Sequence, residues 1–317
     1  MKSTRIADFL LGACLTFFGT GAAHAENLNL TAMDDGKVES HFQQLQESVA
    51  VMGKKRSIFE IGQLFKGADE TVWGLSWDRA RYCEGSGAST SSEHHASRLN
   101  GFLCTSFLIA PDLMLTAAHC LPQPRCQGET FIFGLNRFRF QVPRSDVYTC
   151  KEILRYRYDG NYDYALVRLD RAVSGRAPLT IKPTVRWNEK NRAVFTLGYP
   201  AGDSAFLGHG AAYSNWSPLS TSVQTNIPGL GGQSGSPLFD EKSGAVEGIM
   251  VKTAADASHR ERWNADKQCV ETRKSNLIYH PIAWFADEIL PFIRASAGAT
   301  APAPVSDPSS TATPALR

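Results

Sequence analysis

Through the middle of the chain, from about Ser57 to Ala295, hydrophobic positions come in short runs separated by turn-forming residues. Phe102 to Ile109, Thr130 to Phe133, Phe138 to Val142, Ala165 to Leu169, Ala193 to Leu197 and Val246 to Val251 have the length and side chains of strands. Such runs at close spacing predict antiparallel sandwiches or barrels, not βαβ units. Helical spacing occurs in two places. Val38, Phe42, Leu45 and Val49 share one face of a helix over Lys37 to Val51, which Asp34 or Asp35 would cap. Near the other end Ile282, Phe285, Ala286, Ile289, Leu290 and Ile293 repeat at helical spacing. Pro281 suits a first-turn position there, while Pro291 removes a backbone donor and is expected to kink or end the helix. No internal repeat is visible.

The N-terminal pattern concerns export. Lys2 and Arg5 precede a mostly apolar stretch from Phe9 to Ala23, and Ala23-His24-Ala25 places small residues where signal peptidase reads them. Residues 1–25 therefore read as a secretory signal, too short to span a bilayer, and no later segment is long enough either. A lipoprotein reading would acylate Cys14 in Leu11-Gly12-Ala13-Cys14, but Asp8 then interrupts a short hydrophobic region. The basic cluster Lys54-Lys55-Arg56 after the first amphipathic segment predicts a prosegment over residues 26–56, cut near Arg56–Ser57. The plain alternative is a solvated N-terminal helix. Residues 296–317 are Ala, Pro, Ser and Thr with almost no large apolar side chain, which predicts a disordered tail.

Composition narrows the class. With 317 residues, 43% of them hydrophobic and 20% charged, the chain can bury a real core, and 26 glycines with 16 prolines favour a turn-rich fold over a helical bundle. A formal net charge of +2 argues against nucleic acid, whose phosphates demand clustered Lys and Arg. Without the signal, six cysteines remain: Cys83, Cys104, Cys120, Cys126, Cys150 and Cys269. An even number in an exported chain points to disulfides.

Candidate chemistry lies in three segments. Gly229-Leu230-Gly231-Gly232-Gln233-Ser234-Gly235-Ser236-Pro237 frees the backbone to turn sharply and aim N–H groups into one small space. An oxyanion hole needs two such donors, here Gly232 and Ser234. A base is available in Thr116-Ala117-Ala118-His119-Cys120, and cysteines on two neighbouring runs would allow Cys104 and Cys120 to close a clip beside it. His24, His41, His94, His95, His209, His259 and His280 read as ordinary histidines. The carboxylate that would orient the imidazole is Asp163, just before the run that begins at Ala165. Asp159 and Asp170 compete with it but read better as turn residues.

In these motifs, together with Leu197-Gly198-Tyr199-Pro200 and the order His, Asp, Ser, the sequence resembles the trypsin-like, chymotrypsin-fold serine peptidases, and more closely their glutamyl-endopeptidase-like branch. The resemblance implies an all-β fold of two antiparallel six-stranded β-barrels with the active site between them and a C-terminal helix. It also implies a His119, Asp163, Ser234 triad with Gly232 and Ser234 as oxyanion donors. Cys104–Cys120 would bridge strands the family places side by side; Cys126–Cys150 would flank a hairpin, leaving Cys83–Cys269.

The chain departs from the family in places. Gln233 stands where animal trypsins carry the Asp that pairs with a new N-terminus, so activation by that ion pair has no partner here. Pro228 replaces the acidic pocket residue of trypsins, and Gly229 and Met250 replace the Thr and His of the glutamyl branch. The primary pocket is therefore expected to be uncharged, with Lys252 and His209 as the cations that would overturn that. The expected function is a secreted or periplasmic serine endopeptidase working through an acyl-enzyme. The alternatives are a catalytically weak binding module and an esterase on the same scaffold. No metal or cofactor motif stands out. The expected partners are protein or peptide substrates, with no nucleic acid, no membrane span and a monomeric chain.

Overall fold

Val49, Ala50, Val51 and Met52 show how the first half is built. All four are almost wholly inaccessible, yet they belong to a strand, β1 (Val49–Lys54). Alternate side chains go opposite ways: Ala50 and Met52 join one apolar cluster with Phe131 and Phe133, Val49 and Val51 another with Phe107 and Tyr164. A strand buried on both faces reads as a continuous apolar run. Burying each valine contributes roughly 1.5–3 kcal/mol.

A computed structural model describes residues 31–32, 39–54, 58–63, 71–75, 77–79, 97–99, 102–122, 125–135, 141–182, 191–200, 205–213, 222–229, 231–253, 262–266, 269–271 and 275–300. Strand β1 pairs with β2 (Phe102–Ala110), and β3 (Leu113–Thr116), β4 (Glu129–Phe133), β5 (Val147–Tyr158) and β6 (Asp163–Leu169) complete a closed antiparallel barrel in the order β5-β6-β3-β2-β1-β4. The second barrel comprises β7 (Arg192–Gly198), β8 (Phe206–Tyr213), β9 (Val223–Gly229), β10 (Pro237–Asp240), β11 (Val246–Thr253) and β12 (Ser275–Pro281). Its order is β8-β7-β10-β11-β12-β9, and β8–β9 pairing closes the ring. The two six-stranded barrels with a C-terminal helix are the expected fold class.

The N-terminal expectations need correction. Helix α1 covers only Ser40–Gln46, not Lys37 to Val51, with Phe42 buried edge-on against Phe195 of the second barrel. Val49 leaves the helical pattern because strand pairing on both edges, to β2 and β4, outweighs the helical periodicity. Before α1, Thr31–Ala32 pairs with Leu207 and Phe206 of β8. Residues 49–54 of the expected prosegment form β1, while Arg56 and Ser57, where the cut is expected, lie outside the described residues. The run Phe138 to Val142 lies mostly outside the described residues, with Gln141–Pro143 a strand at its end.

At the other end Ile282–Trp284 forms a single tight turn and α2 spans Ala286–Thr300. Pro291 is inside α2 and does not end it. The expected disordered tail therefore starts too early, since Ser296 is helical, buried and donates to Asp112 Oδ1 at 2.5 Å. Residues 301–317 lie outside the described residues. Phe285 stacks on Tyr164 with ring centres 3.9 Å apart, and Tyr164 Oη donates to Glu288 of α2 at 2.6 Å. The C-terminal helix is thus docked on the residue next to Asp163. No helix among the described residues is long and apolar enough to cross a membrane.

Candidate active site

Strand β3 ends at Thr116, and the chain turns through Ala118–Cys120, which places His119 at the rim of the first barrel. Asp163 opens β6, which pairs with β3 in the register Ala165 opposite Thr116. This brings the two residues together. Asp163 Oδ2 lies 2.6 Å from His119 Nδ1, and Oδ1 accepts the His119 backbone N–H at 2.9 Å. A carboxylate can only accept, so Nδ1 carries the ring proton and Nε2 keeps its lone pair free. The carboxylate side chain is 12% exposed and the imidazole 31%, so the carboxylate is the more shielded of the two while the ring reaches solvent.

The two competing carboxylates lie elsewhere. Asp159 caps its own turn, accepting from Asn161 and Tyr162, and pairs with Arg157. Asp170 accepts from Thr149 N and pairs with Arg171. Of the three, Asp163 is the one on His119.

Ser234 lies in the turn between β9 and β10 of the second barrel, and the first barrel holds that turn. Thr105 N of β2 donates to Ser234 O at 2.8 Å, and Thr105 Oγ1 donates to Gly232 O at 3.0 Å while accepting Tyr199 N at 3.0 Å. From the other side Gly235 N donates to Met250 O at 2.8 Å. Gly235 sits at φ 88°, and a Cβ there would overlap Thr105 O and lie 2.5 Å from Thr116 Oγ1, so no larger residue fits. Gly232 is also left-handed, at φ 95°.

Cys104 and Cys120 form a disulfide, and Cys120 Sγ lies 3.8 Å from Ser234 O, which sets the Ser234 turn beside the residue that follows His119. Cys126 and Cys150 form a second disulfide. Cys83 lies outside the described residues, and so does the expected Cys83–Cys269 pair. His119 and the sulfurs of Cys104 and Cys120 fall within 4.8 Å of one another, a metal-like spacing, but the disulfide leaves no thiolate to bind one.

Residues 104–249 match the family model of the trypsin-like peptidase domain. The chain carries a trypsin-like peptidase domain. Among solved structures it is similar to the VesB protease of Vibrio cholerae, at 15% identity and TM-score 0.48 over 83% of this chain and 66% of that one. It is also similar to a Glu endopeptidase, at 14% identity and TM-score 0.49 over 85% and 98% of the two chains. No curated protein matches the chain.

Two residues of this candidate site escaped the sequence. Thr105 sits in an apolar run, where nothing sets it apart from a β-branched strand residue. His280 read as an ordinary histidine, but its Nδ1 accepts the Asp163 backbone N–H at 3.2 Å. Burial pushes its pKa down to about 4; Lys252 adds to the fall, while Asp163 and Asp159 oppose it. Of the residues expected at the primary pocket, Pro228, Gly229 and Met250 are buried, and Leu277 packs directly against Gly229. Lys252 is exposed, and His209 pairs with Glu241 at 3.3 Å.

Proposed function

We propose that this trypsin-like serine peptidase is an exported endopeptidase that cleaves through an acyl-enzyme on Ser234. Ser234 Oγ attacks the scissile carbonyl carbon while His119 Nε2 takes its proton. Asp163 keeps the imidazole in the required tautomer and offsets the charge it gains. The carbonyl oxygen becomes an oxyanion facing the N–H groups of Gly232 and Ser234. Collapse breaks the C–N bond, His119 returns the proton to the leaving amine, and water then cleaves the ester by the same route.

The observation that carries this reading is the double grip of Asp163 on His119 beside a serine turn fixed by Thr105. Export is supported by the signal-like residues 1–25 and by two disulfides, which persist in oxidising compartments. The pocket reading remains neutral side chains over Lys, Arg or Glu, because a buried unpaired charge costs several kcal/mol.

Digestion of a proteome-derived peptide library tests both levels. The protein should cut peptide bonds and its Ser234→Ala variant should not; cuts surviving in the variant contradict the mechanism. More than about half of the cuts following Lys and Arg, or following Glu, would contradict the neutral pocket alone.

A further inference from the structure

Strand β12 brings a buried histidine of the second barrel to Asp163 of the first. His280 is 8% exposed, and the Asp163 amide N–H donates to its Nδ1 at 3.2 Å. An amide N–H can only donate, so Nδ1 presents its lone pair and the proton resides on Nε2. That tautomer is the opposite of the one Asp163 imposes on His119. Both carboxylate oxygens of Asp163 are engaged by His119, through its backbone N–H and its Nδ1. The direction of the carboxylate thus depends on where the Asp163 backbone is held.

We propose that His280 is a positioning residue of the peptidase site, a neutral imidazole whose Nδ1 holds the Asp163 amide and thereby aims the carboxylate that orients His119. The inference rests on the triad reading above and adds to it. It gives the second barrel a hold on the base as well as on the nucleophile. The groups acting on the imidazole are Asp163 of β6, Asp159 of the preceding turn and Lys252 of β11, and burial outweighs them, leaving His280 neutral near pH 7. A protonated ring would lose the lone pair and turn an N–H against the Asp163 N–H.

Comparison of His280→Asn with His280→Gln tests the proposal, since both are polar and smaller than or similar to histidine. Asn places an acceptor oxygen near the Nδ1 position, whereas Gln places its oxygen a bond further on, where Nε2 stood. With rates expressed per active site titrated by fluorophosphonate, Asn should retain kcat within about fivefold. Gln should lose about ten- to a hundredfold in kcat, with KM within about twofold, the range seen when an outer partner of a functional group is removed. Equal kcat in the two variants overturns the proposal, whether both are active or both impaired. So does a loss carried by KM. Ser234→Ala, assayed alongside, keeps the two questions apart. Turnover persisting in that variant sinks the triad itself, whereas an inert Ser234→Ala with equal His280 variants sinks only the role of His280.

Discussion

The two barrels hold their halves of the site by different chemistry. In the first, side chains do it: Asp163 grips His119 at Nδ1 and at its backbone N–H, and the Cys104–Cys120 disulfide fastens the turn that carries the histidine. In the second, the backbone does it: Ser234 and Gly235 are fixed through their carbonyl and amide groups, and two glycines supply left-handed φ. The contrast implies that chemistry and stability separate in the His–Asp half and are coupled in the Ser half. A side chain can be exchanged for an isostere without moving the chain, whereas a change to Gly235 must push Thr105 away.

The largest effect should come from the half where the two separate. Asp163→Asn keeps the shape but lets the ring adopt the wrong tautomer, so kcat/KM should fall on the order of 10⁴-fold while the melting temperature hardly changes. A loss below about tenfold, or a rate loss matched by unfolding, breaks the contrast.

Gly235→Ala should instead lower rate and stability together. The φ of 88° and the overlap with Thr105 O each cost about 2 kcal/mol, so denaturant unfolding should show a loss of about 4 kcal/mol. Gly231, with nothing within 4 Å of its Cβ position, is the control, and its alanine variant should stay within about 0.5 kcal/mol.

His280 gives the acid side of the stability profile. Its folded pKa, about 4, lies below the ordinary histidine value of about 6.5, so between those values the unfolded chain binds the extra proton. Stability should therefore fall as pH drops from about 6.5 to about 4, by about 3 kcal/mol from this residue, and level off below. Unfolding free energies measured across that window should have a shallower slope in His280→Asn, and identical slopes would contradict a buried neutral imidazole.

The smallest effect is expected at Thr105. Thr105→Val removes the hydroxyl that donates to Gly232 O and accepts from Tyr199 N, which should cost about 1–2 kcal/mol and reduce kcat more than KM. A change in KM alone would place Thr105 in substrate binding instead.

How much of this was legible in the sequence follows from the same contrast. His119, Asp163 and Ser234 stood out because side-chain chemistry in a fixed order leaves a local signature. Five of the twelve barrel strands, β2, β4, β6, β7 and β11, could be read because their apolar runs are short and bounded by turns. Val49 to Val51 misled because a doubly buried strand after a short helix continues the helical spacing, and only its pairing with β2 and β4 distinguishes the two. Thr105 and His280 were invisible for a related reason. Their roles are contacts to backbone groups over long sequence separations, and no residue type signals a bond to a distant amide.

The central claim, that Ser234 is the nucleophile activated by His119, is tested most directly by acylation with an activated ester followed by mass analysis of the trapped protein. The account predicts a burst of about one acyl group per chain, located on the peptide that contains Ser234 and absent from Ser234→Ala. An adduct on Ser236, or a burst that survives in Ser234→Ala, would contradict it.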